Sequence, residues 1–168
     1  VGYFLLLLFG VRGPLGSWLR ETFGVQLAFT AEGAALATAV MAFPLMVRAI
    51  RLSFEATDRG LFEAAAVLRA GPWDRFWSMA LPLAWPGVLA GAVTAFAAGL
   101  GEFGAVITFA SNVEGQTQTL PLAIYSALQV PNGEETALRL AAISMTAAVT
   151  GLVLAELLQH WARRRLEA

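Results

Sequence analysis

The sequence predicts an all-α fold, a polytopic helical membrane protein, and two observations carry this prediction. Hydrophobic residues make up 58% of the 168 residues and charged residues only 14%, which is unlike soluble globular domains in both respects. Three apolar stretches, residues 33–50, 84–110 and 137–158, are long enough at about 1.5 Å per residue to cross a hydrocarbon core about 30 Å thick. We therefore expect three complete membrane spans.

The first eleven residues are apolar but too short to cross the core. They contain no initiator methionine and no charged segment of the kind that opens a signal peptide. We interpret residues 1–11 as the last turns of a span whose beginning is absent. The whole chain, residues 1–168, is then expected to be one transmembrane domain and the C-terminal part of a longer protein. In the first complete span, 33–50, alanines permit close helix packing and Pro44 predicts a kink.

A polar segment, residues 52–82, separates the first two complete spans. Thr57 or Asp58 is a suitable cap for a helix of about residues 59–70, and Gly71-Pro72 ends it. Apolar residues recur within it at helical spacing. By periodicity alone, this pattern is typical of an amphipathic helix that lies on the bilayer surface. The apolar positions are Leu61, Ala64, Ala65 and Leu68.

The second complete span carries one ionisable residue among several glycines. Its sequence around residue 102 is Gly101-Glu102-Phe103-Gly104. An ionisable group at membrane depth usually faces a cavity or a partner. Three roles are open for Glu102: a structural brace, by hydrogen bonds or by a pair with Arg139 of the last span, a gate, or direct contact with a ligand.

The arginines are distributed unevenly, and this predicts the orientation of the chain. Eight of the eleven basic residues lie in or beside segment 52–82 or after the last span, whereas segment 111–136 has none. The positive-inside rule therefore places segment 52–82 and the C-terminus in the cytoplasm. The arginines after the last span, residues 163–165, are expected to anchor the membrane edge rather than to bind nucleic acid.

The residue types that are absent exclude several kinds of chemistry. All eleven basic residues are arginine, and a Walker A nucleotide-binding loop requires lysine. The sequence has no cysteine, which excludes disulfides, thiolate nucleophiles and cysteine metal sites. The one histidine, His160, stands beside Trp161 near the C-terminus, where we expect a solvated interfacial side chain. The sequence therefore predicts no catalytic site, no metal site and no cofactor in this chain.

Segment 52–82 resembles the cytoplasmic EAA loop of importer-type ABC transporter permeases. The resemblance rests on Glu63-Ala64-Ala65 and on the closing Leu81-Pro82. It implies that this loop docks in a cleft of an ATP-binding subunit. The usual glycine six residues after the glutamate is replaced by Arg69, so the turn is expected at Gly71-Pro72. The residues implied in coupling are Glu63, Ala64, Ala65, Leu68, Arg69, Gly71, Leu81 and Pro82.

The later part of the chain resembles the molybdate and sulfate permeases among these importers. The matching strings are 101–105 and 107–112, while 116–129 and 43–51 are similar to the molybdate members. The resemblance implies a type I ABC importer transmembrane domain in the inner membrane of a bacterium or archaeon. It also implies a homodimer of the permease, an ATP-binding subunit that holds ATP and Mg²⁺, and an extracytoplasmic oxyanion-binding protein. Gly101, Glu102, Phe103 and Gly104 are the candidate pathway or gate residues.

Two features of the polar segment after the second span are open. Asn112 and residues 116–119 either contact the delivered anion or its binding protein, or form a solvated loop before a short helix at 120–128.

Alternatives to a molybdate importer are a sulfate importer, a passive channel and a membrane-embedded enzyme. An enzyme needs convergent reactive groups at membrane depth, where this sequence has only Glu102.

Overall fold

The computed structural model describes residues 1–56, 60–61, 65, 67 and 71–166, and of residues 155 and 158–166 it describes only the backbone. Within these ranges the regular structure is helical, which confirms the predicted all-α fold. A π-helical turn, Phe76–Ala80, joins α4 to α5. The helices are α1 (Gly2–Phe9), α2 (Pro14–Phe23), α3 (Ala31–Glu55), α4 (Pro72–Arg75), α5 (Leu81–Leu100), α6 (Gly104–Phe109), α7 (Leu120–Leu128) and α8 (Glu134–Leu166).

Three stretches in the described part of the chain are long and apolar enough to cross a membrane. They are Ala31–Glu55, Pro72–Leu100 and Glu134–Leu154. Helices α1 and α2 form a fourth candidate if they are one span, bent by 49°. The second stretch differs from the expected range 84–110, because the helix begins earlier and ends at Leu100. The glycines that follow allow the backbone to leave the helix there.

The first of two compact units comprises residues 1–42 and 96–150. Its core forms where α1 packs against α6. A Cβ at Gly2 would lie 2.8 Å from the Cβ of Thr108, so the glycine allows this close approach. Small and aliphatic residues fill the space around one buried aromatic ring. The buried core residues are Leu5, Ala28, Ala34, Ala37, Ala105, Val106, Phe109, Ala110 and Leu122.

The start of α3 is held by a side-chain cap. The Thr30 hydroxyl accepts a hydrogen bond from the Gly33 N–H at 3.1 Å and donates to the Leu27 carbonyl at 2.8 Å. The cap satisfies one of the N–H groups that a helix start leaves unpaired. The preceding Phe29 N–H donates to the Phe109 carbonyl, which ties the start of α3 to the core.

The second compact unit comprises residues 43–95 and 151–168. Within it, residues 46–53 of α3 pack closely against residues 83–91 of α5, and we call this contact the seam. A Cβ at Gly87 would lie 2.5 Å from the Cβ of Ser53, and a Cβ at Gly91 would lie 3.2 Å from the Cα of Met46. Glycines at these positions therefore let the two backbones approach, as small residues commonly do between membrane helices.

Candidate functional site

The predicted coupling residues lie only partly within the described ranges. Glu63, Ala64, Leu68 and Arg69 lie outside them, so their roles stay predictions, and the proposed caps Thr57 and Asp58 also lie outside. Ala65 is helical and 6% exposed. Its methyl group is therefore an interior contact, as expected for the apolar face of a short amphipathic helix.

The last part of segment 52–82 is helical rather than a loop. Gly71 precedes α4, its carbonyl accepts the Arg75 N–H at 2.9 Å, and Pro72 occupies the first helical position. The helix does not stop at Leu81-Pro82. The Leu81 N–H bonds to the Phe76 carbonyl, five residues back, which closes the π-helical turn directly before Pro82. Leu81 and Pro82 are both exposed.

A hydrogen bond across the seam reaches the turn that contains Pro86. The Ser53 hydroxyl donates to the Leu83 carbonyl at 3.1 Å. The N–H that Pro86 lacks would serve the Pro82 carbonyl, so the Leu83 carbonyl accepts the Ser53 hydroxyl through its second lone pair. The sequence offers no signal for this pair, because its members are thirty residues apart.

Gly101, Glu102, Phe103 and Gly104 form the break between α5 and α6. The Gly101 N–H donates to the Ala98 carbonyl at 3.2 Å, and the Glu102 N–H donates to the Gly99 carbonyl at 3.1 Å. Both bonds span three residues, so the helix ends in a tight turn. The break falls within the predicted span 84–110, near its C-terminal end.

Glu102 braces the start of α6. Its Oε1 accepts a hydrogen bond from the Ala105 N–H at 2.8 Å, and the side chain is half-buried. A carboxylate at a helix start satisfies a free N–H group and interacts favourably with the helix dipole. This contact favours the bracing role among the three that the sequence leaves open.

The alternative pair between Glu102 and Arg139 is not formed. Arg139 Nη2 donates instead to Glu135 Oε1, one helical turn earlier on α8. Both side chains of that pair are about three-quarters exposed. An intrahelical pair at this spacing needs no tertiary contact, so it forms more readily than one between distant helices.

Phe103 connects the break to α7. Its ring lies edge-to-face against the ring of Tyr125, with the ring centroids 5.3 Å apart. Such a geometry is favourable because the positive edge of one ring meets the negative face of the other. Two of the four predicted gate residues, Glu102 and Phe103, therefore hold the break in place with their side chains.

Asn112 joins the segment after α6 to α7. Its Nδ2 donates to the Ser126 hydroxyl at 2.7 Å, and its Oδ1 accepts from Gln118 Nε2 at 3.0 Å. The side chain is half-buried. We call residues 101–129, which contain the break and this three-residue bridge, the clasped segment.

Thr117 lies inside the clasped segment rather than in solvent. It is 3% exposed; its hydroxyl accepts the Val113 N–H at 3.0 Å and donates to the Ser111 carbonyl at 3.2 Å. The expectation of a solvated loop is therefore wrong at this position. The expected short helix at 120–128 is confirmed as α7.

Sequence reasoning missed the partners in these contacts. Ser126 and Tyr125 were expected only as part of a short helix, and nothing local links them to Asn112 or Phe103. A hydrogen bond across fourteen residues depends on how the chain folds back. In the part of the chain that the structure describes, no group of three or more His, Asp or Glu side chains could hold a metal ion.

Comparison with protein families finds one that covers almost the whole chain. The family described as binding-protein-dependent transport system inner membrane component matches residues 1–167. A match of this extent includes α1 to α8, the seam and the clasped segment.

Comparison with individual proteins finds relatives of the same kind. The chain is 50% identical over 165 residues to the molybdenum transport system permease protein ModB of Escherichia coli, which covers 98% of this chain and 72% of that protein. It is 48% identical over 167 residues to ModB of Haemophilus influenzae, covering 99% of this chain and 71% of that protein. It is also 40% identical over 133 residues to sulfate permease 2, chloroplastic, of Chlamydomonas reinhardtii, covering 79% of this chain and 36% of that protein.

Proposed function

Because this chain belongs to the family of binding-protein-dependent transport system inner membrane components, we propose that it is the permease subunit of an ATP-driven importer of molybdate or tungstate. The observation that carries the choice of anion is the 50% identity to the molybdenum permease over 98% of the chain. Fold alone does not determine function, so the choice of anion rests on this sequence identity and not on the helical fold.

The proposed assembly contains more than this chain. Two copies of the permease form the pathway, and a separate ATP-binding subunit holds ATP and Mg²⁺. A binding protein outside the membrane delivers the anion. The family's description as binding-protein-dependent transport supports the ATP-binding subunit and the binding protein as partners, and the two copies of the permease are part of the proposal. In this assembly the permease itself carries out no chemical step, and the bilayer surrounds its exposed apolar faces.

Coupling to ATP is proposed to occur through segment 52–82. Glu63, in the helix that the sequence predicts for residues 59–70, pairs with basic groups of the ATP-binding subunit, and Gly71-Pro72 leads into the next span. The continuous helical stretch Pro72–Leu100 supports this route, because a helix transmits displacement along its axis better than a loop. ATP binding and hydrolysis favour different states only if each state makes different contacts at both ends.

The gate is proposed at Gly101–Gly104, where α5 ends. Glycines permit backbone rotation there, while the hydrogen bond from Ala105 to Glu102 and the Phe103–Tyr125 ring contact hold one arrangement. A carboxylate repels an anion, so Glu102 acts on the backbone and not on the cargo. Selectivity for the anion then depends mainly on the binding protein.

Sulfate is the second candidate cargo, and one observation favours it. The chain is 40% identical over 133 residues to a chloroplast sulfate permease. Sulfate and molybdate are both tetrahedral dianions, so a pathway without charged contacts discriminates weakly between them. The lower identity and shorter alignment place sulfate behind molybdate.

The test is ATP-driven uptake of labelled molybdate into proteoliposomes that contain the full-length permease, its ATP-binding subunit and its binding protein. Excess sulfate serves as competitor, and Glu63→Arg serves as the coupling variant. We expect uptake that resists sulfate and falls at least tenfold in Glu63→Arg, because reversing the charge replaces attraction at the docking contact by repulsion.

A matched control separates coupling from a general effect of charge. Glu21 is an exposed carboxylate on α2, which the arginine distribution places on the opposite side of the membrane. Glu21→Arg is expected to keep uptake within about twofold of the parent, because exposed charges outside a contact contribute little. Uptake abolished by sulfate would reassign the cargo, and uptake that needs no ATP would overturn the importer proposal.

A further inference from the structure

Three aromatic side chains form one exposed patch at the start of the second membrane-length helix. We call Trp73, Phe76 and Trp77 the aromatic patch. Trp73 is 74% exposed, and Trp77 is 62% exposed. The Phe76 ring lies edge-to-face against both, with centroid separations of 6.4 Å to Trp73 and 5.4 Å to Trp77. The rings therefore act as one apolar surface that the described part of the chain leaves uncovered.

The length of the helix determines where this patch lies. Helix α5 has 20 residues, which at about 1.5 Å per residue spans about 30 Å, the thickness of the hydrocarbon core. Trp77 and Trp73 precede Leu81 by four and eight residues, so their backbones lie about 6 Å and about 12 Å beyond the core. The headgroup layer on each side is about 5–8 Å thick. Trp77 therefore lies within that layer, whereas the Trp73 backbone lies about 4 Å or more beyond it, on the aqueous side.

One arginine lies within the aromatic patch. Arg75 lies between the two tryptophans, and its Nε is enclosed without a hydrogen-bond partner in the described part of the chain. The Ser78 hydroxyl has one hydrogen and lies closer to the Asp74 main-chain carbonyl than to the Asp74 carboxylate. A phosphate group attracts the positive charge of an arginine, and tryptophan is enriched where one end of the ring is apolar and the other wet.

We propose that Trp77 of the aromatic patch is seated in the phospholipid headgroup layer at the arginine-rich side of the membrane, with Trp73 on the aqueous side of that layer, and that the patch sets the depth of α5. The assignment of the patch to the arginine-rich side of the membrane rests on the proposed function, in which segment 52–82 faces the ATP-binding subunit. The assignment of its depth does not. The rings resist movement of the start of the helix into water or into hydrocarbon. Displacement of the predicted helix at residues 59–70 by the ATP-binding subunit therefore tilts the following helix rather than shifting it along its axis. The alternative contact for the aromatic patch is the ATP-binding subunit, which lies beyond the headgroups.

The experiment measures depth directly in the assembled transporter. A nitroxide label is attached to a single cysteine in the full-length permease, assembled with its ATP-binding subunit in vesicles of phosphatidylethanolamine and phosphatidylglycerol. Trp73→Cys, Trp77→Cys and Trp85→Cys are compared, because Trp85 lies on α5 and is also exposed. The 168-residue sequence has no native cysteine. Collision rates with molecular oxygen and with a neutral nickel chelate report depth.

We expect the label at residue 77 to lie about 12 Å shallower than at residue 85, and at residue 73 about 18 Å shallower, from the helical rise. Residue 77 should show intermediate rates with both probes. Full water exposure at residue 77 in the assembled transporter would overturn the proposal. Protection from both probes that appears only when the ATP-binding subunit is present would overturn it in favour of a protein contact.

A second measurement covers the case in which a cysteine variant does not fold. Tryptophan fluorescence is quenched with lipids brominated at different chain positions, in a permease with Trp18, Trp85 and Trp161 replaced by phenylalanine. Quenching strongest for bromine nearest the headgroup supports the proposal, and no quenching contradicts it. A nickel chelate added on one side identifies the leaflet. Headgroup depth on the opposite side would refute the proposed orientation and leave the depth assignment intact.

Discussion

The seam and the clasped segment are held together by different forces. At the seam, Gly87 and Gly91 let α5 approach α3 so closely that a Cβ at Gly87 would meet Ser53 at 2.5 Å. In the clasped segment, contact depends on hydrogen bonds from Thr117, Asn112 and Glu102. Close packing at the seam therefore requires positions without side-chain volume. The clasped segment requires hydrogen bonds made by polar side chains.

The difference follows from what each backbone already satisfies. Two packed helices pair their own N–H and C=O groups, so their contact is limited by steric fit and dispersion. Irregular backbone leaves such groups unpaired, and burying them costs free energy unless side chains supply partners. Volume changes should thus damage the seam most, and loss of hydrogen bonds should damage the clasped segment most.

The largest expected effect is at the seam. Gly87→Leu places atoms within 3 Å of the Ala49 carbonyl and the Ile50 Cα, which are backbone atoms that cannot turn away. We expect the assembled permease to lose at least about 3 kcal/mol of stability or to fail to fold. Thermal unfolding of the purified protein measures this. Ala92→Leu on the exposed side of the same helix is the control, and an equal loss there would show that the seam is not the cause.

Thr117→Val tests the clasped segment at nearly constant volume. The Val113 N–H and the Ser111 carbonyl both lose their hydroxyl partner at a position that is 3% exposed. We expect a loss of about 1–3 kcal/mol. The same unfolding measurement applies. Thr117→Ser keeps the hydroxyl and should lose about 1 kcal/mol for the missing methyl group. A serine variant less stable than the valine variant would contradict the hydrogen-bond account.

Glu102→Leu removes the acceptor at the start of α6. The Ala105 N–H then loses its 2.8 Å partner, and we expect a loss of about 1 kcal/mol. Glu102→Gln retains an acceptor oxygen and should stay within about 0.5 kcal/mol of the parent, the difference expected from the charge at a helix start. Uptake by both variants is measured beside stability. Full uptake in Glu102→Leu would refute the bracing of the gate.

The smallest effect is expected for the hydrogen bond at the seam. Ser53→Ala removes the donor to the Leu83 carbonyl, an acceptor that belongs to a helix turn. We expect a loss of about 0.5 kcal/mol, because a carbonyl with a second lone pair tolerates the loss of one partner. Chemical denaturation of the parent and variant in parallel resolves this difference. A loss larger than that of Thr117→Val would reverse the comparison between the two regions.

The positions of the helices were more predictable than the contacts between them. Apolar runs long enough to span a bilayer predicted α3, α5 and α8, since a helix satisfies all its backbone hydrogen bonds within one segment in lipid. Boundaries were less predictable. Pro82 suggested the end of a loop, yet it lies within one continuous helical stretch from Pro72 to Leu100, because a π-helical turn precedes it.

At the candidate gate, too, the position of the residues was more predictable than their contacts. Its glycines and its carboxylate were predicted from Gly101-Glu102-Phe103-Gly104, because an ionisable group at membrane depth is costly and needs a reason to be there. Whether Glu102 meets Arg139 or the backbone was open. The structure pairs Arg139 with Glu135 and Glu102 with Ala105, since both partners lie within one turn of the chain.

The sequence by itself determined that this chain is helical and membrane-spanning, since long apolar runs are stable in a bilayer as helices. Its motifs identified the family. Only the tertiary structure decided which polar groups meet: Asn112 with Ser126, Thr117 with the backbone around it, and Ser53 with Leu83. Hydrogen bonds require partners within about 3 Å, and that proximity depends on how the chain folds back on itself.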